Sequence, residues 1–187
     1  TRDWHGDIQQ AIETVARYAN VQLIDFHEPL YRYPFMLPDA VHPTVEGAGI
    51  LAGVVYSAIT GDYGGLRLSE IYSDNMVLQC GCPLDIHGVA DAGEKVTVSI
   101  AGQTESAKAG ANGKWAVCLK PLQPGGPHTL TVSTGKRRLH FENVLVGEVW
   151  LCSGQSNMEF MMKEGVDGKV DIPQSGNAGI RLFDMKA

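Results

Sequence analysis

The sequence predicts α/β pieces flanking an all-β sandwich. Three observations lead there. Apolar residues keep helical spacing on both sides of a short apolar run before Gly61. From about residue 66 to 143 the period changes to two. A nearly continuous apolar run, Val144 to Cys152, then leads into a Ser/Gly turn. At 187 residues and 44% apolar composition, the chain has the material for a packed core in one medium domain or two small ones.

Residues 1–65 form the first segment. Ile8, Ile12, Val15 and Ala19 place an amphipathic helix over Asp7–Ala19. Val21–Phe26 reads as a short, mostly apolar strand. A Pro-rich loop runs from Pro29 to Pro43. A second helix is expected from about Thr44 to Ile59, with Val45, Ala48, Ala52, Val55 and Ile59 on one side. Pro43 suits its first turn and Gly61 its end. Gly61–Gly65 reads as a linker.

Residues 66–143 form the second segment. Val96/Val98/Ile100, Trp115/Val117/Leu119, Leu130/Val132 and Leu139/Phe141 each alternate with polar or small residues. Asp91-Ala92-Gly93, Ala101-Gly102, Asn112-Gly113 and Gly125-Gly126-Pro127 are expected to separate the strands. Such spacing suggests a small β-sandwich. The third segment, 144–187, returns to α/β, with a strand over Val144–Cys152 and another beginning at Ile180–Phe183.

A net charge of −6 supplies no basic field for nucleic acid or an anionic membrane surface. The longest apolar stretches fall far short of a membrane span. Cys80, Cys82, Cys118 and Cys152 lack metal-type C-x-x-C spacing and read as small buried side chains. A bridge from Cys80 or Cys82 to Cys118 stays open. His5, His27, His87, His128 and His140 show no metal spacing and read as surface or satisfied core. Trp115 fits core packing better than sugar stacking. Lys136-Arg137-Arg138 reads as a solvated run on a turn.

Gly154-Gln155-Ser156-Asn157-Met158 follows the third-segment strand. A nucleophilic serine needs a sharp turn, an imidazole to take its proton and N–H donors for the oxyanion. A strand ending in Gly-x-Ser at a helix start answers the first and third needs, Gly154 allowing the tight turn. Ser156 is the candidate nucleophile. Ser156, Gly154, Gln155 and Asn157 are the candidate oxyanion and substrate-binding residues. The competing reading is a Ser-rich loop with an N-cap serine. Met158 stands where the G-x-S-x-G elbow of α/β-hydrolases has its second Gly, which counts against that fold.

The stretch Gly147–Phe160 closely resembles the nucleophile block of the sialate O-acetylesterase family, within the SGNH (GDSL-type) hydrolases. Ile71–Gln79, Ala90–Glu94, Asn112–Trp115 and Gly125–Pro127 resemble that family's N-terminal β domain, in order. The resemblance implies flavodoxin-like, three-layer αβα folding for the flanking pieces. It also implies a serine that releases acetate from O-acetylated sugars or glycans, with no metal or cofactor. A periplasmic or extracellular location goes with that substrate class.

Asp39-Ala40-Val41-His42 lies between the expected strand and helix of the first segment. The spacing lets one loop carry an imidazole and the carboxylate that orients it. The competing reading is a surface loop whose Asp caps the next helix. Asp39–Ala48 resembles the last block of SGNH hydrolases, where Asp and His complete the triad. In that family the Ser block comes first. Here Asp39 and His42 precede Ser156.

The expectation is therefore a tandem protein. Residues 1–65 would end one SGNH domain, and 144–187 would begin another after the 66–143 β-sandwich. The family's oxyanion Gly and Asn blocks have no match here. The remaining parts of the same polypeptide would be the partners that complete each site, and this stretch alone would be inactive. The alternative is a non-catalytic carbohydrate-binding or spacer module centred on 66–143.

Overall fold

The computed structural model describes residues 4–31, 33–39 and 41–184; the side chains of residues 4–7, 157 and 159 lie outside the description. Three helices come first: α1 (Trp4–Ala19), α2 (Glu28–Tyr31) and α3 (Val45–Thr60). The strands follow as β1 (Val77–Gln79), β2 (Leu84–Val89), β3 (Lys95–Ile100), β4 (Gln103–Lys108), β5 (Lys114–Leu119), β6 (Gly125–Ser133) and β7 (Arg138–Gly147). Two single-turn helices, α4 (Ser156–Glu159) and α5 (Gly168–Asp171), lie beyond them. The architecture is thus mixed α and β, with the described strands all in the middle of the chain.

The strands form a five-stranded sheet, β1-β7-β6-β3-β4, and a two-stranded sheet, β2-β5. The β1–β7 pair is parallel and the other pairs are antiparallel. Alternation puts every second side chain on one face. Val96, Val98 and Ile100 of β3, Trp115, Val117 and Leu119 of β5, and Leu130 and Val132 of β6 all turn inward. They meet in one apolar cluster with Leu66, Ile86 and Val144. Burying each such side chain contributes roughly 1.5–3 kcal/mol.

The β3–β4 hairpin closes on Ala101 (φ 49°) and Gly102 (φ 78°). Two left-handed residues match the right-handed twist of the strands. Gly125-Gly126-Pro127 does not separate strands; it opens β6. The Leu139/Phe141 and Val144/Val146 runs are one strand. The inward phase slips by one between Phe141 and Val144, where Asn143 (φ 54°) adds a residue opposite β6. That is a β-bulge, which re-aims the side chains after it.

The linker is docked rather than free. Asp91 Oδ1 accepts the Tyr63 and Gly65 N–H groups at 3.0 Å each. Those two donors hold the Asp91 carboxyl below the ordinary carboxylate range. Lys136 Nζ stands 3.5 Å from Asp91 Oδ2 and 3.2 Å from Glu94 Oε1, so it is engaged, not merely solvated. The Tyr63 hydroxyl donates to the Ala111 carbonyl at 2.8 Å.

The helical part departs most from expectation. Val21–Phe26 forms no strand, because a strand needs a paired edge and none of the described residues supplies one. Ile8, Ile12 and Val15 are exposed, and among the described side chains of α1 Ala16 is the buried apolar one. α3 is capped by Thr44, whose Oγ1 accepts the Gly47 N–H, and ends at left-handed Gly61 as expected. Pro43 precedes that cap instead of entering the first turn. The inner side of α3 carries Gly47, Ile50, Leu51, Val54, Val55 and Ala58; Val45, Ala48, Ala52 and Ile59 are exposed. Ile180–Phe183 is not a strand, and the Val144–Cys152 strand stops at Gly147, level with the end of β1 at Gln79.

A Cβ on Gly88 would collide with the Arg67 carbonyl and lie 2.9 Å from the Trp115 ring. Arg67 and Val89 exchange backbone hydrogen bonds of 2.8 and 2.9 Å there, so the carbonyl has little room to retreat. Gly88→Ala is expected to destabilise the fold by about 1–3 kcal/mol in urea unfolding. An unchanged midpoint would show that the Arg67 backbone yields freely.

Candidate active site

The Asp39/His42 loop is built onto the start of α3. A short 3-10 turn, Pro34–Met36, buries Met36. The Met36 carbonyl then accepts the Thr44 N–H at 2.8 Å. Gly47 lets this loop lie close: a Cβ there would stand 3.2 Å from the Met36 carbonyl oxygen and 3.2 Å from Pro43 Cβ. Asp39 Oδ1 accepts the N–H groups of Val41 (3.0 Å) and His42 (2.6 Å). Its other oxygen, Oδ2, lies 2.7 Å from His42 Nδ1.

The His42 backbone N–H, the His42 ring and the Val41 N–H, in that order, lower the Asp39 pKa to about 2. An ionised carboxylate only accepts, so His42 Nδ1 carries the proton and Nε2 is left as the base position. The pair is open to solvent, with side-chain exposures of 81% for His42 and 55% for Asp39. Asp39 is not the cap of α3, since Thr44 takes that place. Its bonds to Val41 and His42 make a local turn instead.

Ser156 opens α4, after Gln155 in extended backbone. The Gln155 carbonyl accepts the Met158 N–H at 2.8 Å. A Cβ on Gly154 would lie 3.1 Å from Met158 Cβ, so the turn is tight at that point. The helix start expected after Gly-x-Ser is present as α4, a single turn that Phe160 ends in extended backbone. Ser156, Gly154 and Gln155 are exposed. The Asn157 side chain lies outside the described residues.

The structure brings Asp39 and His42 together in one hydrogen-bonded pair, and Ser156 is not part of it. Among the described residues, the Ser156 hydroxyl has no hydrogen-bond partner and the His42 ring is bonded to Asp39. Two open surface hollows, one lined by Gln9, Asp25, His27, Glu28 and Tyr31 and the other around Asn20–Leu23 and Asn112, include none of the site residues.

Spacing did not reveal the groups that hold the Ser156 segment. Val149 N–H donates to Gln79 Oε1 at 2.9 Å, and Gln79 Nε2 donates to Glu148 Oε2 at 3.2 Å. The Arg181 guanidinium donates to the Met76 and Asn143 carbonyls and to Asn143 Oδ1.

All four cysteines are free, and Cys82, Cys118 and Cys152 are exposed, contrary to the expected burial. Cys80 Sγ donates to Glu148 Oε1 at 3.3 Å, and that carboxylate pushes the thiol pKa up. Trp115 is only 4% exposed, which leaves it to the core. No cluster of three or more His, Cys, Asp or Glu suited to a metal occurs among the described residues. No helix among them is long and apolar enough to cross a membrane.

No family model matches the chain. The rat sialate O-acetylesterase is 35% identical over 135 residues, covering 65% of this chain and 24% of the relative. The mouse enzyme is 36% identical over 136 residues, covering 65% and 25%. Among solved structures, a carbohydrate acetylesterase from Xanthomonas citri matches with a TM-score of 0.58 at 34% identity, covering 60% of this chain and 26% of that one. Over the matched residues the chain is similar to sialate O-acetylesterases and to this carbohydrate acetylesterase. It spans about a quarter of the length of the relatives it matches.

Because the folded pKa of Asp39 is depressed, its contacts stabilise the loop above the ordinary value of 3.8 and are lost as pH falls through about 2. A carboxyl NMR titration should give Asp39 a midpoint near 2. In His42→Ala the midpoint should rise yet stay below 3.8, because both backbone donors remain. A midpoint of 3.8 in the unsubstituted chain would mean that the loop contacts do not form in solution.

Proposed function

We propose that this chain is part of a carbohydrate O-acetylesterase in which Ser156 is the nucleophile. The observation that carries the proposal is the likeness in sequence and shape to a carbohydrate acetylesterase, 34% identical with a TM-score of 0.58. The sialate O-acetylesterases point to the same substrate class, an O-acetylated sugar or glycan.

In this proposal Ser156 Oγ attacks the acetyl carbonyl carbon while a histidine Nε2 takes its proton. Backbone donors around Gly154–Asn157, joined by groups from elsewhere in the polypeptide, stabilise the oxyanion. The tetrahedral intermediate expels the sugar oxygen, which receives the proton from the histidine. Water then attacks the acetyl-serine by the same route, releasing acetate and free Ser156.

The histidine serving Ser156 is supplied from outside these 187 residues. Asp39 and His42 serve a different serine. Their pairing, with Nε2 left as the base position, fits the orienting half of a Ser-His-Asp triad. Ser156 has no part in that pairing. The arrangement fits a tandem layout: residues 1–65 end one SGNH-type unit, 66–143 form a β-sandwich, and 144–187 begin the next unit. A site of action outside the cytoplasm, periplasmic or extracellular, suits a glycan substrate.

The purified 187-residue chain is expected to show no turnover of an aryl acetate above background. The longer polypeptide should be active, with Ser156 labelled by a fluorophosphonate. There, Ser156→Ala should lower kcat on the order of 10⁴–10⁶-fold. Turnover by the short chain that Ser156→Ala abolishes would overturn the division between two sites. Full activity of Ser156→Ala in the long polypeptide would overturn the nucleophile assignment.

A further inference from the structure

We infer that Arg181 is a positioning residue for Ser156: with Gln79 it clamps the two ends of the excursion that carries the serine onto opposite ends of strand β1. This rests on Ser156 being the nucleophile.

The chain leaves the five-stranded sheet at Gly147. At that exit Gln79 accepts the Val149 N–H at 2.9 Å and donates to Glu148 at 3.2 Å. It comes back at Arg181, whose Nη1 lies 3.2 Å from the Met76 carbonyl oxygen and also donates to the Asn143 carbonyl. Nη2 donates to Asn143 Oδ1 at 3.1 Å. Met76 and Gln79 flank and close the three residues of β1. At about 3.3 Å per residue, the two clamps stand roughly 10 Å apart. The stretch from Val149 to Arg181, loop broken by single helical turns, has neighbouring ends, and Ser156 lies in its first quarter.

The excursion is not held by packing. Trp150, Leu151, Met158, Phe160, Met161, Met162 and Val166 are all exposed. Its helical turns bond within themselves, as in Met158 N–H to Gln155 and Asp171 N–H to Asp167. Fixing the ends of such a loop removes much of its conformational freedom.

The receiving groups are themselves rigid. Asn143 sits at φ 54° with its Nδ2 donating to Asn75 Oδ1 at 2.7 Å. Asn75 sits at φ 66° with its N–H on the Glu142 carbonyl at 3.0 Å. The Glu142 N–H donates in turn to Asp74 Oδ1 at 2.7 Å. Three acceptors in a fixed frame suit the planar guanidinium fork. A lysine keeps the charge and loses the fork.

The test has two arms. In the 187-residue chain, ¹⁵N relaxation is measured with and without Arg181→Ala. Backbone order parameters over 149–160 are expected to fall below about 0.6, with β3 and β6 unchanged. In the acetylesterase polypeptide, Arg181→Ala is expected to lower kcat by about 10-fold or more while KM stays within about twofold. Arg181→Lys recovers only part of the loss, and added guanidinium restores part of kcat to the alanine variant.

Arg181→Lys replaces Arg181→Ala throughout if the latter fails to fold. Unchanged order parameters together with unchanged kcat overturn the clamp. So does a loss of kcat matched by lost order in β3 and β6, since that is general unfolding. Ser156→Ala keeps the two proposals separable. If activity survives it, the nucleophile assignment fails while the relaxation arm still decides the clamp.

Discussion

The packing of Ile86, Trp115 and Val117 against Val96, Val98, Leu130, Val132 and Val144 is the interaction on which the rest of the molecule hangs. It forces β2–β5 and β3–β6–β7 to share one apolar interior. Leu66 is fully buried in it, so the chain just after the glycine-rich linker belongs to the core. The linker then has little freedom left. Asp91 takes two of its N–H groups, and Tyr63 reaches on to the Ala111 carbonyl. What reads in sequence as a tether between units is, in the fold, a fixed mount.

The outer parts are held by a different kind of force. Glu28 meets Lys114 at 2.9 Å and Gln22 reaches Ala111 at 3.3 Å, but these contacts are exposed. Exposed pairs of this kind contribute little each. The segments bearing Asp39, His42 and Ser156 therefore take their geometry from short hydrogen-bonded turns and end clamps. Large side chains such as Ile8, Ile12, Trp150 and Leu151 stand in the open beside them.

Legibility followed from how local each signal is. Alternation at Val96/Val98/Ile100 and Trp115/Val117/Leu119 announced buried strand faces, because a period of two has one physical meaning. Gly61 marked the end of α3 because a left-handed residue is needed there. The bulge at Asn143 was not legible, since nothing in Phe141–Val146 announces which residue is extra. Val21–Phe26 and Ile180–Phe183 look like strands on composition, yet a ladder depends on a partner that composition does not specify.

At the site, the Asp-x-x-His spacing already contained the 2.7 Å contact. Ser156 was legible as a motif but not in its surroundings. Its clamps join residues 70 positions apart at Gln79/Val149 and 105 apart at Met76/Arg181, and no window along the chain brings such pairs together.

All the contacts that shape the Asp39 carboxylate come from residues no more than three positions away. They can form as soon as that stretch of chain exists, whatever the remainder is doing, because closing so small a loop costs little entropy. The frame that receives Arg181 depends on Asn75 and Asn143, 68 positions apart, and is in place only after β1 and β7 have found each other. The chain thus holds two kinds of geometry: an acid–imidazole pair closed entirely by neighbours within three positions, and an Arg181 frame that exists only where residues 68 positions apart meet.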